Sequence, residues 1–305
     1  MSTPSHSRTH ACTTRAAIAI LAVTALLITA CGSSTGSPAP LQIDHGATPP
    51  PAVSPHDGMP GMTDMPTGNG LTAEAAGFGF APVASLLSAD QPGSVQFRIT
   101  GADGKPVTTL EPDQTKLMHF YLIRSDLTGF QHVHPTMSPD GTWTAALAPA
   151  QPGAYRAYTS FIAKNASGAA MPLVLSQPVT VPGLPTVVPL PAPSATTQVD
   201  GYTLKLTADQ LMAGMTHPLT VTVSKHGQPV TDLQPYLDTY AHLTAFHEGD
   251  LAFAHLHPHG TINGDRAGPT LSFDAMLPEP GNWRLFLQFQ TAGVLHTAAA
   301  TISVQ

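Results

Sequence analysis

Val95-Gln96-Phe97-Arg98-Ile99 alternates apolar and polar residues without a break, and Leu219-Thr220-Val221-Thr222-Val223 does the same further along the chain. Residues i and i+2 of a strand share a face, so each run reads as a strand with one buried side. Turn chemistry surrounds both. Asp103-Gly104 and His226-Gly227 follow the two runs. Pro152-Gly153 and Pro280-Gly281 then precede the aromatic-rich stretches Tyr155 to Phe161 and Trp283 to Phe289. With 31 prolines and 26 glycines among 305 residues, short strands joined by turns are favoured over long helices. The pattern predicts an all-β chain. Its body should be two tandem antiparallel β-sandwich domains, immunoglobulin-like or cupredoxin-like, after a signal peptide and a disordered stalk.

The two domains are predicted as copies. A shift of 123 residues lays Gly104, Pro106, Val107, Thr108, Leu110 and Pro112 on Gly227, Pro229, Val230, Thr231, Leu233 and Pro235. Across 103–135 and 226–258, 11 of 33 positions are identical, a third that includes every histidine of the first window. Further on, Pro152-Gly153 and Arg156 fall on Pro280-Gly281 and Arg284. Breaks in composition set the boundaries. Residues 31–71 are rich in Ser, Pro, Gly and Thr and read as a flexible stalk, and 183–195 is a proline-rich, semi-rigid linker. The sandwiches are expected over 72–182 and 196–305, each long enough for its own core.

Residues 1–30 read as a secretory signal. Arg8 and Arg15 precede an uncharged run, Ala16 to Ala30, which is shorter than the roughly 20 residues of a spanning helix. Ile28-Thr29-Ala30-Cys31-Gly32 resembles the lipobox of bacterial lipoproteins, which implies acylation of Cys31 and a lipid anchor on the extracytoplasmic face of the cell membrane. Cleavage there discards Cys12, so the mature chain forms no internal disulfide and packing must hold it together. It also removes two of twelve basic residues and none of the nineteen acidic ones, leaving a mature charge of −9 with histidines neutral. That balance argues against a nucleic-acid partner.

Each copy carries a histidine, twelve residues, then His-x-His-Pro: His119 with His132 and His134, and His242 with His255 and His257. If 117–124 and 130–135 form a hairpin with His119 opposite His134, all three imidazoles share one face, with opposed Cβ atoms about 5 Å apart. The second copy permits the same register. Three imidazoles suit copper, with zinc as the alternative, and no carboxylate stands at matched positions to favour calcium. His247, His259 and His296 are further candidates in the second copy, and Met171 is a soft axial candidate in the first. In the stalk, His56, Asp57, Met59, Met62 and Met65 form a Met/His segment, and thioethers draw the choice toward copper. Met212-Ala213-Gly214-Met215-Thr216-His217 has a similar flavour, although strand packing accounts for Met212. The alternative to a metal site is a structural one, with imidazoles bonded to backbone at a sheet edge and proline blocking further pairing.

The stretches Leu117 to Pro135, with its HVHP, and Ala241 to His259, with its HLHP, resemble a family of actinobacterial secreted or lipid-anchored proteins without an assigned activity. The resemblance spans about 72–305 and implies an extracytoplasmic two-domain β protein linked to heavy-metal handling. It carries no catalytic residues. Met215, His217 and His296 fall outside its pattern. The leading expectation is a non-enzymatic, membrane-anchored binder of copper or another transition metal, acting in buffering, resistance or handover to a metal-transport partner. A cell-envelope interaction module with scaffold histidines is the alternative. A zinc enzyme is a third reading, disfavoured because no acid or base occupies matched positions and no nucleophile or nucleotide motif is present.

Overall fold

The computed structural model describes residues 69–260 and 262–305, apart from the side chain of His257. The expected signal segment, Cys31 and the stalk residues His56, Asp57, Met59, Met62 and Met65 lie outside the described residues. Those described contain eighteen strands and no helix. The first repeat comprises β1 (Glu74–Ala75), β2 (Phe78–Leu86), β3 (Gly93–Thr100), β4 (His119–Arg124), β5 (Gln131–Val133), β6 (Thr136–Met137), β7 (Trp143–Leu147), β8 (Gly153–Lys164) and β9 (Ala170–Val181). The second comprises β10 (Thr196–Val199), β11 (Tyr202–Ala208), β12 (Thr216–Lys225), β13 (Gln228–Pro229), β14 (Ala241–His247), β15 (Phe253–Pro258), β16 (Thr270–Met276), β17 (Gly281–Thr291) and β18 (Val294–Val304).

These strands pair antiparallel throughout. The first repeat is a sandwich of two sheets, β1-β2-β3-β7-β6 and β5-β4-β8-β9. In the second, β10-β11-β12-β16 and β15-β14-β17-β18 correspond to these sheets, but β15 pairs with both β14 and β16 and joins them into one path. The fold is therefore all-β, with two repeated sandwich domains. As the alternation predicted, Val95, Phe97 and Ile99 of β3 and Leu219, Val221 and Val223 of β12 are buried. They enter separate cores, the first with Phe120, Trp143 and Phe161, the second with Phe273, Trp283 and Phe289.

Strands β4 and β14 show no simple alternation, because both of their faces are covered. Phe120 and Leu122 enter the first core, whereas Tyr121 and Ile123 point the other way, into a third cluster. Likewise Leu243 and Ala245 enter the second core, and Phe246 joins the third. That third cluster is the seam between the repeats, where sheet β5-β4-β8-β9 faces sheet β15-β14-β17-β18. Phe130 stacks on Phe286 with ring centroids 4.2 Å apart, and Phe253 lies 5.1 Å from Tyr121 and 5.4 Å from Tyr158. The Tyr158 hydroxyl donates to the Leu251 carbonyl across the same seam. Incoming chain closes one edge, where the Phe253 amide donates to the Asn69 carbonyl at 2.9 Å. Gly70 has φ +69°, and a Cβ there would stand 2.8 Å from Val174 Cγ1 and 3.1 Å from Phe253 Cβ. Only glycine meets both demands.

Candidate metal centre

Strand register builds the site. Phe120 pairs with Val133 and Tyr121 with His132, so the same register sets His119 across from His134. The hairpin thus puts His119, His132 and His134 on one face, and one nitrogen of each lies within 4.8 Å of the others. The face is the seam side of β4. His119 is buried there, His132 and His134 are half-buried, and the Tyr121 ring stacks on His132 at 4.4 Å.

The outer nitrogens fix how the rings present themselves. His119 Nε2–H donates to the Asp113 carbonyl at 3.1 Å. That carbonyl sits on a two-residue turn, Gln114-Thr115, whose ends Asp113 and Lys116 exchange backbone hydrogen bonds of 2.7 and 2.9 Å. Both turn residues are left-handed, at φ +44° and +69°, and neither is glycine. For a β-branched threonine this is a strained conformation. His132 Nδ1–H donates to Gln288 Oε1 of the second repeat at 2.7 Å, and Gln288 Nε2 donates in turn to Thr297 Oγ1 at 3.3 Å. With Gln288 Oε1 facing His132 in this way, His119 Nδ1 and His132 Nε2, 3.0 Å apart, would meet with lone pairs; with the amide reversed, His132 Nε2–H donates to His119 Nδ1. Two acceptors that close repel unless a cation lies between them. His134 Nε2 is buried beside them and has no hydrogen-bond partner among the described residues.

An added proton, which would make an imidazolium, is disfavoured. Burial pushes His119 down from the ordinary imidazole range, against the raising effect of the Asp113 carbonyl and charge. His132 is held well below that range, first by burial and then by the neighbouring His119. His134 is pushed down to about 3, again by burial first and by His119 next. Neutral imidazoles in these tautomers are metal ligands, and an outer N–H on a carbonyl or amide oxygen is the usual support for one. The observed 3.0 Å between His119 Nδ1 and His132 Nε2 is a distance at which two nitrogens can share a proton or an ion.

The second repeat reproduces part of this. His242 Nε2–H donates to the Tyr236 carbonyl at 3.0 Å, from a turn Leu237-Asp238 with φ +52° and +58°. His255 is buried, and its ring lies 6.4 Å from that of His242. In β15, His255 pairs with Thr244 and His257 with Asp274 of β16, whereas the His257 side chain lies outside the described residues. The two sets are not remote from each other. The His242 ring stands 6.0 Å from that of His132 across the seam.

The other candidates go elsewhere. Met171 packs against the first core on the sheet face opposite the triad, because β9 sends Met171, Leu173 and Leu175 inward and Val174 to the seam. It is no axial ligand. His247 bonds Asp250 at 2.8 Å and the Pro280 carbonyl at 3.1 Å. His259 pairs with Asp274 at 2.7 Å, and His296 lies between Asp200 and Thr291 at 2.8 and 3.0 Å. Each of these three has a local structural partner. His217 Nε2 accepts from the Met212 amide at 3.1 Å, and Met212 and Met215 are exposed. Met212 precedes β12 rather than packing within a strand, so the sequence expectation for it was wrong. Sequence reasoning passed over the Asp113 carbonyl, Tyr121 and Gln288. The first follows from the equivalent placement of Asp113 and Tyr236, six residues before each histidine, but nothing local marks Gln288.

Among curated proteins none matches this sequence. Solved structures resemble it only distantly. An Escherichia coli adhesin, FdeC, aligns at 15% identity over 76% of this chain and 65% of its own, with a TM-score of 0.23. MtrC from Shewanella baltica aligns at 10% identity over 75% of this chain and 68% of its own, with a TM-score of 0.25. Invasin, a bacterial integrin-binding protein, aligns at 13% identity over 74% of this chain and 39% of its own, with a TM-score of 0.22. The chain thus spans less than two thirds of FdeC and of invasin, and at these scores none of the three bears on its function. A family model matches twice, once in each repeat. By its matches to residues 75–174 and 197–305, the chain belongs to the family described as Domain of unknown function (DUF8832).

Proposed function

We propose that this protein is an extracytoplasmic lipoprotein, anchored to the cell membrane through Cys31, that binds copper without catalysing a reaction. His119, His132 and His134 hold the ion through one nitrogen each, and buffering, resistance or handover to a transport partner is the use. One observation carries the reading: His119 Nδ1 and His132 Nε2 meet at 3.0 Å, each with its other nitrogen committed to an oxygen acceptor. Such a pair is stable when a cation sits against both lone pairs, and His134 Nε2 offers a third. When bound, copper would find three neutral imidazoles in a largely water-excluded seam. Tyr121 walls one side, and the Asp113 carbonyl keeps the His119 ring from turning.

The test is a Cu(II) titration of the full mature chain beside a variant carrying His132→Ala and His134→Ala, followed by electron paramagnetic resonance. Tight binding with nitrogen hyperfine structure in the parent, lost in the variant, is the expected result. Equal affinity in the two proteins would remove the proposal.

A second reading has its own support. Swapping the oxygen and nitrogen of the Gln288 amide lets it donate to His132 Nδ1, and His132 Nε2–H then donates to His119 Nδ1. The triad becomes a hydrogen-bonded strut in an envelope interaction module. Nuclear magnetic resonance of the imidazole nitrogens in metal-free protein separates the two, because the strut requires a protonated His132 Nε2.

A further inference from the structure

We infer that the metal centre is a composite of both repeats. Gln288 of the second repeat is a positioning residue that fixes His132 as an Nε2 ligand, so that ion binding and closure of the seam form one equilibrium. The inference rests on the copper-binding reading above and extends it to a linkage between the domains. An imidazole has two equivalent chances to ligate, and the acceptor at one nitrogen decides which lone pair is left. For His119 that acceptor is local, the carbonyl of Asp113. For His132 it comes from 156 residues away, across the seam, as Gln288 Oε1 at 2.7 Å. Gln288 is itself buried on β17, pairs with His242 of β14 in register, and is steered from β18 by Thr297. The first repeat therefore holds the three nitrogens but not the group that sets the direction of one of them.

The reciprocal follows from linkage. A ligand that binds the closed seam better than an opened one stabilises the closed form, by an amount that grows with its concentration over Kd. Opening the seam would withdraw Gln288 and the His242 ring, 6.0 Å from His132, together with the aromatic stack of Phe130 on Phe286. Copper then acts as a clasp between two domains that otherwise meet through apolar rings, the Tyr158 to Leu251 hydrogen bond and, at the edge, the Phe253 to Asn69 one.

The experiment uses the full mature chain with Gln288→Leu and, separately, Gln288→Glu, titrated with Cu(II) under a competing chelator and read by electron paramagnetic resonance. Gln288→Leu should weaken binding by about 10- to 100-fold and shift the nitrogen hyperfine pattern, the scale of effect for an outer partner of a ligating histidine. Gln288→Glu places a carboxylate at the same acceptor position and should restore at least the parent affinity. Hydrogen exchange supplies the seam readout: Cu(II) should protect the Phe253 amide, bonded to the Asn69 carbonyl, in the parent and less in Gln288→Leu. Parent affinity and parent spectrum in Gln288→Leu would overturn the inference while leaving the copper reading intact. If Gln288→Leu fails to fold, Gln288→Glu decides, and an affinity below the parent's overturns the inference. A parent chain that binds no Cu(II) overturns the function itself, and is recognised without any variant.

Discussion

The two hairpins that carry His-x-His-Pro begin alike and end differently. Both run a covered strand, β4 or β14, whose first or second residue is a histidine tied to the carbonyl of a left-handed turn six residues earlier. In the first repeat β5 stops at Val133, so His134 and Pro135 leave the ladder and the hairpin keeps its three rings together. In the second, β15 continues through Pro258 and changes partner from β14 to β16. The cross-strand neighbour differs as well. His132 faces Tyr121, whose ring stacks on it, whereas His255 faces the small, polar Thr244. Identical motifs therefore take their geometry from the strand beyond them and the residue opposite, which the motif does not contain.

The sharpest way to break this comparison is to remove histidines from one repeat at a time. His132→Ala with His134→Ala should cost more Cu(II) affinity than the ~10–100-fold carried by outer partners. His255→Ala with His257→Ala should cost less than ~10-fold in the same titration. Equal losses would make the two hairpins equivalent and sink the distinction.

The matched phenylalanines come next. Phe253 is buried among Tyr121, Tyr158 and Phe246, while its counterpart Phe130 is half-buried against Phe286. Phe253→Ala should destabilise by about 3–5 kcal/mol in urea unfolding, the usual cost for a buried phenylalanine. Phe130→Ala should cost less. A reversed order would mean that the seam is not where the second hairpin is anchored.

Acidification probes the triad without metal. His134 has a folded pKa of about 3, below the ordinary value near 6.5 in an unfolded chain. Between those pH values the unfolded chain binds a proton that the folded one refuses, so this contribution is intact above pH 6.5 and is lost as pH falls toward 3. The metal-free protein should lose stability across that window, and His134→Phe should flatten the dependence. An unchanged slope in the variant would show that the ring is not held neutral by its site.

The smallest effect belongs to the turns. Thr115, β-branched at φ +69°, and Asp238, at φ +58°, occupy matched positions. Glycine relieves the left-handed strain but adds unfolded-state entropy. Thr115→Gly should therefore stabilise by up to about 1 kcal/mol, whereas Asp238→Gly should be near neutral, because aspartate tolerates this region. Thermal unfolding of the two variants distinguishes them.

Several features were legible from residue order alone. Alternation in Val95 to Ile99 and Leu219 to Val223 placed one face of β3 and β12 in a core, since side chains on a strand repeat every two residues. The His119 to His134 spacing carried the hairpin register, which the Tyr121 to His132 pairing reproduces. Internal duplication was visible as shared residues and is matched by the family model in both halves. Local periodicity and self-comparison are enough for such things, because they depend on neighbours within a strand or on the chain's copy of itself.

What only the tertiary structure decided is that the histidine faces of the two repeats turn toward one another. Residue order could not show that Met171 points into the first core while His132 reaches Gln288, because both outcomes depend on which sheet face meets which. A sheet has two faces, and sequence periodicity separates them without saying what lies beyond either. The second sandwich supplies that answer: its β14-β17 face covers the first hairpin and brings Gln288 within 2.7 Å of His132 from the far side of the seam.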